Sequence, residues 1–512
     1  MALNLFRRHL LASLLAVLPA LALSAPPKGG AAQLAMIGEP QSLDPMASTA
    51  DLVGTIMQHV FETLYTFDAR WQAVPMLAEG MPRVSADGLT HTITLRAGVK
   101  LHSGRDLDAG DVVASLTRWM DMAPRGKAIG RDTVSLEARG PRTIEWKFKV
   151  PQASLLAQLA LPSGMAAIMA KESLANPMTS FVGTGPYRFR ERRPDQLVLL
   201  TRHEAYSARS EAPSGYAGRR EALLDELRFV PVPNASTRLE GALAGQFHFA
   251  DQLNAEALSR LEKGGPQVVP IITPAFGFPY LVFNTREGVM AQQAMRQAVQ
   301  LAIGPGEMLE AAYGDKRFYT VEGNHFPQGT PFYSTAGTEV YNRKDARRAR
   351  EMAERAGYKG EVIRLLTSRQ YEFHHTMVQV MAEHLKAAGF RTEMQVVDWA
   401  TLVQRRGDSK VWDIYMTHSG QLPEPMLSPP QLGEGAPGWW STPGKAKALG
   451  DFNQQTDPAR RAPLWAPVQQ LVYTEVPYIH VGKFSSLSAR AARLEGYVPT
   501  IWPFFWNTGL GR

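Results

Sequence analysis

The sequence predicts an α/β protein built as two or three lobes. Three observations carry this reading. At 512 residues the chain is too long for one compact core. Between residues 362 and 416, strand-like apolar runs alternate with helical ones, the pattern of a mostly parallel sheet with helices on its faces. Residues 75–119 hold a turn, a period-two strand and an amphipathic helix in direct succession.

Taken in order, Gln33 to Ile37 is a short apolar strand, Glu39 to Pro45 a loop, and Val53 to Tyr65 a helix. Asp87-Gly88 makes a turn. Thr90 to Leu95 then alternates, with Ile93 and Leu95 on one face and Thr92 and Thr94 on the other. Val99 to His102 is a second short strand, ended by Ser103-Gly104. Asp108 stands where an N-cap belongs, with the acid Asp111 three residues later. Val112, Val113, Leu116, Trp119 and Met120 follow at helical spacing. Thr143 to Val150 is a strand and Ser154 to Leu161 an apolar helix. Leu197 to Leu200 and Leu227 to Val232 supply strands, and Ser236 to Gly245 a helix ending in glycine. Tyr280 to Thr285 is a strand, followed by a helix from Met295 to Ile303. Strands at Val362 to Thr367 and Phe390 to Val397 flank a helix from His375 to Ala388, stopped by Gly389. A short helix from Thr401 leads to a strand at Trp412 to Met416.

Composition excludes several classes. The chain is 45% hydrophobic and 20% charged, an ordinary globular balance. Its net charge is +7; residues 1–24 carry Arg7 and Arg8 and no acid, so the remainder carries +5. That is mild for its length, and no basic run is interleaved with aromatics, which argues against a nucleic-acid partner. Arg343 to Arg355 mixes bases and acids at helical spacing and reads as a solvated helix face. Cysteine is absent, which removes thiolate chemistry, disulfides and a lipoprotein anchor together. Arg7-Arg8-His9 before the apolar run Leu10 to Leu23 reads as an export signal, with cleavage after Ser24 or, as a second possibility, by the Ala20/Ala22 pair. The twin arginines leave the export route open between Sec and the twin-arginine system. The expected product is free in a periplasm, as a monomer.

The words of the 75–119 stretch say more than its periodicity. P-x-L-A-E, S-x-D-G-L-T-x-T-x-x-L-R-x-G-V-K-x-H-x-G and A-x-D-V-V-x-S occur in that order. Together they resemble the signature of the peptide/nickel/opine family (family 5) of extracytoplasmic solute-binding proteins, the soluble receptors of ABC importers. Glu39 to Pro45 (E-P-Q-S-L-D-P), V-F-E-T-L at Val60 to Leu64 and Tyr280 to Thr285 (Y-L-V-F-N-T) agree with it. The resemblance implies a type II periplasmic-binding-protein fold, with two main lobes joined by two crossing strands and a smaller inserted lobe. Its expected boundaries are a signal peptide at 1–24, lobe I at 25–74, 183–277 and 483–512, an inserted lobe Ib at 75–182, and lobe II at 278–482. Gly183 to Tyr187 then marks the return to lobe I. The crossings near 276–284 and 478–484 are the expected hinge, about which such lobes rock around a ligand. The implied function is capture of a short peptide or peptide-like solute for a membrane permease. A secreted hydrolase or peptide-processing enzyme, and a binder of opines or metal chelates, remain as alternatives.

Enzyme motifs are missing. There is no G-x-S-x-G elbow and no H-E-x-x-H, and Gly438 to Lys445 has the wrong spacing for a phosphate loop. His374-His375 with His384 is the one histidine cluster, and adjacent helical histidines point apart. No catalytic, metal or cofactor site is therefore assigned. In the peptide-binding branch that the sequence resembles, a third-lobe aspartate holds the peptide ammonium, a tryptophan lines the pocket, and an arginine meets a carboxylate. Here Trp399 supplies the upstream tryptophan, His418 replaces the second one, and Gln421 stands where the aspartate is expected, before Glu424-Pro425. Either Glu424 compensates, or the ligand lacks a free α-amine, or the loop is shifted by a residue or two so that Gln421 does not correspond to the aspartate. Arg369, followed by Gln370 and Tyr371, lies where the carboxylate-binding arginine is expected. Trp439 and Trp440 are adjacent aromatics in a Pro/Gly-rich loop, so at least one is expected to line the cleft.

Overall fold

Half-buried strands need partners, and most of those of this protein find them in one long sheet. The computed structural model describes residues 26–369 and 371–511. The expected export signal at 1–24 and Gln370 lie outside the described residues. Across the 12-stranded sheet the main order is Arg391–Val397, Val362–Ser368, Ile414–Gly420, Val268–Phe283, Lys483–Ala491, Phe249–Leu253, Ala31–Met36, Glu226–Pro231, Leu197–Arg202 and Tyr187–Arg193. Two strands tie the halves together. Val268–Phe283 is 16 residues long. It pairs with Lys483–Ala491 through its first part and with Ile414–Gly420 through its second.

The mostly parallel sheet expected over residues 362–416 is present, as one part of a larger mixed sheet. Val362–Ser368 is parallel to both Arg391–Val397 and Ile414–Gly420. Ala31–Met36 is parallel to Glu226–Pro231 and Phe249–Leu253. The crossing strand is antiparallel to each of its partners, because the chain leaves along it and returns along Lys483–Ala491.

A separate four-stranded sheet orders Arg83–Val84, Thr90–Thr94, Thr143–Phe148 and Thr133–Ala138. Ile93 and Leu95 are buried, and so is His91. Helix Ala109–Met122 opens with a reciprocal capping box: Asp108 accepts from Asp111 N–H and Asp111 from Asp108 N–H. It buries Val112, Leu116 and Trp119. One apolar core runs through Leu34, Tyr65, Trp119, Trp146, Tyr187 and Trp502; others hold Leu281, Leu365 and Met381, or Tyr280, Trp412 and Trp465. No helix among the described residues is long and apolar enough to cross a membrane.

Two local expectations are corrected. Val99 to His102 is not a strand; it contributes a single bridge, Lys100 to Asp106. The helix expected over Val53 to Tyr65 spans Asp51–Met57 and then turns. The turn frees the carbonyls of His59 and Val60 to accept from the N–H groups of Tyr187 and Gly185. Backbone meets backbone so closely there that a Cβ on Gly185 would lie 2.3 Å from His59 O. The Gly183–Gly185 pair is therefore a packing feature rather than a nucleotide loop.

Candidate functional site

A cleft of about 470 Å³ opens where segments distant in sequence converge. Asp68 to Trp71, Gly215-Tyr216 and Val498 to Ile501 line one side; Phe326 to Thr330 and Gln421 to Pro423 line the other; Thr273 to Ala275 of the crossing strand lie between. That size suits a small organic ligand. The crossing strand is irregular at this point. Ala275 has φ 48°, and the pairing register shifts between Thr273 and Gly277. Such a bulge re-aims side chains beside a site.

Trp71 also adopts a left-handed conformation, φ 60°, in the turn between strands Tyr65–Phe67 and Ala73–Pro75. Non-glycine residues take this region uncommonly. Here it brings the indole to 5.9 Å from the Tyr216 ring and 6.2 Å from Trp502. Asp68 holds the turn by accepting from the N–H groups of Arg70 and Gln72 at 2.8 and 2.9 Å.

Gln421 lines the opposite side. It is 6% exposed, and its side-chain oxygen is buried with no hydrogen-bond partner. Its backbone N–H donates to Phe276 O at 3.1 Å, which anchors the segment after Ile414–Gly420 to the crossing strand.

A cluster of rings stands at the end of the same strand. His418 pairs across the sheet with Pro279. Tyr371 lies 4.7 Å from His418 and 4.9 Å from Trp399, both edge-on. Phe484 links this group to Phe276, at 6.2 Å from His418 and 6.3 Å from Phe276. His418 Nδ1 and His374 Nε2 are 3.0 Å apart, one donating to the other according to tautomer. Burial pushes His418 down to about 4 and His374 well below its ordinary range, the latter also through the neighbouring imidazole. Both rings are neutral at pH 7. Arg369, exposed at the end of Val362–Ser368, donates to His375 Nε2 at 3.2 Å.

The remaining expected residues have other surroundings. Glu424 is 2% exposed and forms a two-pronged ion pair with Arg461, at 2.6 and 2.7 Å. The compensation by Glu424 weighed from the sequence is thereby corrected, because that carboxylate already neutralises a buried guanidinium. Trp440, 4% exposed, donates to Glu475 at 2.5 Å and belongs to the core. Trp439 stacks on Trp412 at 5.5 Å under the Arg286 guanidinium. Neither tryptophan lines the cleft, and neither do Arg369, Tyr371, Trp399, His418 or Glu424; of the expected residues Gln421 does. Trp71, Tyr216, Phe326 and Ile501 do, and sequence reasoning missed them. Trp71 carried no signal beyond a turn-forming Asp68; Phe326 preceded a Pro327…Gly329 loop that could have drawn notice.

Comparison with known proteins bears on this arrangement. The family described as bacterial extracellular solute-binding proteins, family 5 (middle), matches residues 72–436. The chain belongs to this family. Among curated relatives, a probable peptide ABC transporter periplasmic-binding protein of Sinorhizobium fredii is 25% identical over 484 residues, covering 91% of this chain and 90% of that protein. Among solved structures, the ABC transporter substrate-binding protein CtaP of Listeria monocytogenes superposes with a TM-score of 0.81 at 18% identity, covering 94% of this chain and 99% of that one. The periplasmic binding protein DppA of Helicobacter pylori, in complex with the peptide STSA, gives 0.72 at 21% identity, covering 95% and 99%. The fold of this family 5 chain is thus that of the periplasmic binding proteins of the family, as its signature words implied.

Proposed function

We propose that this chain is the periplasmic substrate-binding component of an ABC importer, non-catalytic, which captures a short peptide or peptide-like solute and hands it to a membrane permease. The observation that carries this reading is the cleft between Trp71/Tyr216 and Phe326/Gln421, crossed by Thr273 to Ala275. It has the size of a small-ligand site and lies against the strand that joins the two halves of the sheet. A relative named as a probable peptide ABC transporter periplasmic-binding protein, matched over 90% of its length, and a structural neighbour in complex with a peptide support the ligand class. In this reading lobe I (25–74, 183–277, 483–512), with its inserted lobe 75–182, and lobe II (278–482) rock about the crossings. Ligand shifts the balance toward the closed form that the permease recognises. Arg369 as an anchor for a ligand carboxylate, and Tyr371, Trp399 and His418 as a wall, are the roles the family resemblance implies; these residues lie in and beside the ring cluster, outside the lining of this cleft.

The test is thermal unfolding and calorimetric titration of the ligand-stripped mature protein with a panel of di- and tripeptides, followed by mass spectrometry of the recovered peptide. A midpoint rise of several degrees with intact peptide is the expected result. No binding by any peptide would overturn the ligand class, and cleaved peptide would favour the hydrolase alternative.

A further inference from the structure

Resting on the peptide reading, we infer that Asp68 is the anionic anchor of the cleft, and that it receives the ammonium group of the ligand on the wall opposite Gln421. Of the side chains lining the cleft, Asp68 and Arg70 are the charged ones. Glu424, three residues beyond Gln421, is held by Arg461, and Asp51 accepts from Trp502 Nε1 at 2.7 Å. Gln421 is neutral, and its side-chain oxygen is buried. A cationic group that enters the cleft therefore finds its counter-charge at Asp68.

The two carboxylate oxygens of Asp68 differ. Oδ1 accepts from the N–H groups of Arg70 and Gln72, which fixes the side chain in its turn. Oδ2 accepts no hydrogen bond among the described residues, and its ionic neighbour is Arg70 Nε at 3.8 Å. The Arg70 side chain is 71% exposed and that of Asp68 13%, so the pair is a weak one whose cation stands in solvent. An ammonium at hydrogen-bond distance would make the charge-assisted bond that Arg70 does not.

The carboxylate is also held in advance. Asp68 N–H donates to Gln72 O and Trp71 N–H to Asp68 O, both at 3.0 Å, and Ala69 N–H donates to Ser214 Oγ at 3.2 Å. Gly215, at φ 57°, lets the segment bearing Ser214 press on this turn; a Cβ there would lie 2.8 Å from Ala69 N. A charge fixed before the ligand arrives costs little further ordering on binding. The rings of Trp71, Tyr216 and Phe326 line the same cleft and suit the apolar remainder of a short peptide.

The experiment measures Kd by calorimetry for matched Ala- and Phe-containing di- and tripeptides, each with a free and an acetylated N-terminus, on the wild type, Asp68→Asn and Asp68→Ser. Asparagine and serine both keep an acceptor for the turn and remove the charge. Free-amine peptides should bind the wild type roughly tenfold or more tightly than acetylated ones. Either substitution should weaken them by about the same factor and leave the acetylated series unchanged. Equal affinities in the wild type, or tighter binding of acetylated peptides, would overturn the inference while leaving peptide capture standing. A preference for free amines that survives in the variants would remove Asp68 as the anchor. Absence of binding by both series would sink the peptide reading and this inference together. If one variant fails to fold, the other decides.

Discussion

At the residue scale, the informative contrast is between two polar side chains three positions apart. Gln421 lines the cleft and its buried side-chain oxygen has no hydrogen-bond partner, whereas Glu424 is buried against Arg461. The Arg461 guanidinium also lies 3.9 Å above the Phe452 ring and donates to Phe452 O, so its surroundings are apolar apart from these acceptors. Glu424→Gln leaves that cation without a counter-ion and should cost about 3–5 kcal/mol of stability. Urea unfolding would measure this; a loss below about 1 kcal/mol would mean that water reaches the pair. Glu424→Gln combined with Arg461→Met should recover part of the loss, because no lone buried charge remains. From sequence the acid at 424 was visible, but its partner 37 residues away was not. A motif names a residue type at a position and is silent on what neutralises it.

At the scale of elements, the strands and helices with strong local signals lie where their patterns put them. Helix Ala109–Met122 has its cap at Asp108 and its apolar face at Val112, Leu116 and Trp119. Helix Glu372–Ala387 is followed by Gly389 at φ 86°, the left-handed residue that ends it. The run after Met57 departed from its pattern for a tertiary reason. There the chain abandons helical periodicity so that two carbonyls can receive the backbone of residues 185–187. This predicts a sharp sensitivity at Gly185. Gly185→Ala puts a methyl 2.3 Å from His59 O, with Val60 C at 2.7 Å, and backbone on that side cannot yield cheaply. A destabilisation of roughly 2–4 kcal/mol is expected from forced overpacking and lost bonds. Gly98→Ala is the control: its added Cβ meets nothing within 4 Å, so it carries only the strain of φ 74°, of order 1 kcal/mol. Equal urea midpoints for the two would refute the close-approach account.

At the scale of the whole molecule, buried imidazoles set a pH dependence. Burial pushes His59 and His325 down to about 3, and His102, His248 and His418 down to about 4, from an ordinary 6.5. The unfolded chain therefore binds protons below about pH 6.5 that the fold refuses, and stability falls as pH drops through that range toward 4. Each imidazole contributes up to about 1.4 kcal/mol per pH unit there. Asp251, pushed up to about 6 by burial, acts in the opposite sense between about pH 4 and 6, since its protonated form favours the fold. Burial also lowers His91, His203, His374 and His480 and raises Asp51; with nine histidines against two acids among the described residues, the unfolding midpoint in urea should fall between pH 7 and pH 5. A midpoint constant over that interval would show that these rings reach solvent without unfolding.

The sequence by itself determined the α/β class, the order of most strands and helices, and the family. Those properties rest on local periodicity, capping chemistry and an ordered set of words, all written along the chain. Tertiary structure alone decided that the cleft joins Trp71, Tyr216, Ala275, Phe326, Gln421 and Ile501, that Glu424 serves Arg461, and that Trp440 belongs to the core. The physical reason is the same in each case. A side chain's charge state, exposure and partners depend on which distant segments fold against it, and the segments that carry residues 68, 275, 421 and 501 are far apart in sequence.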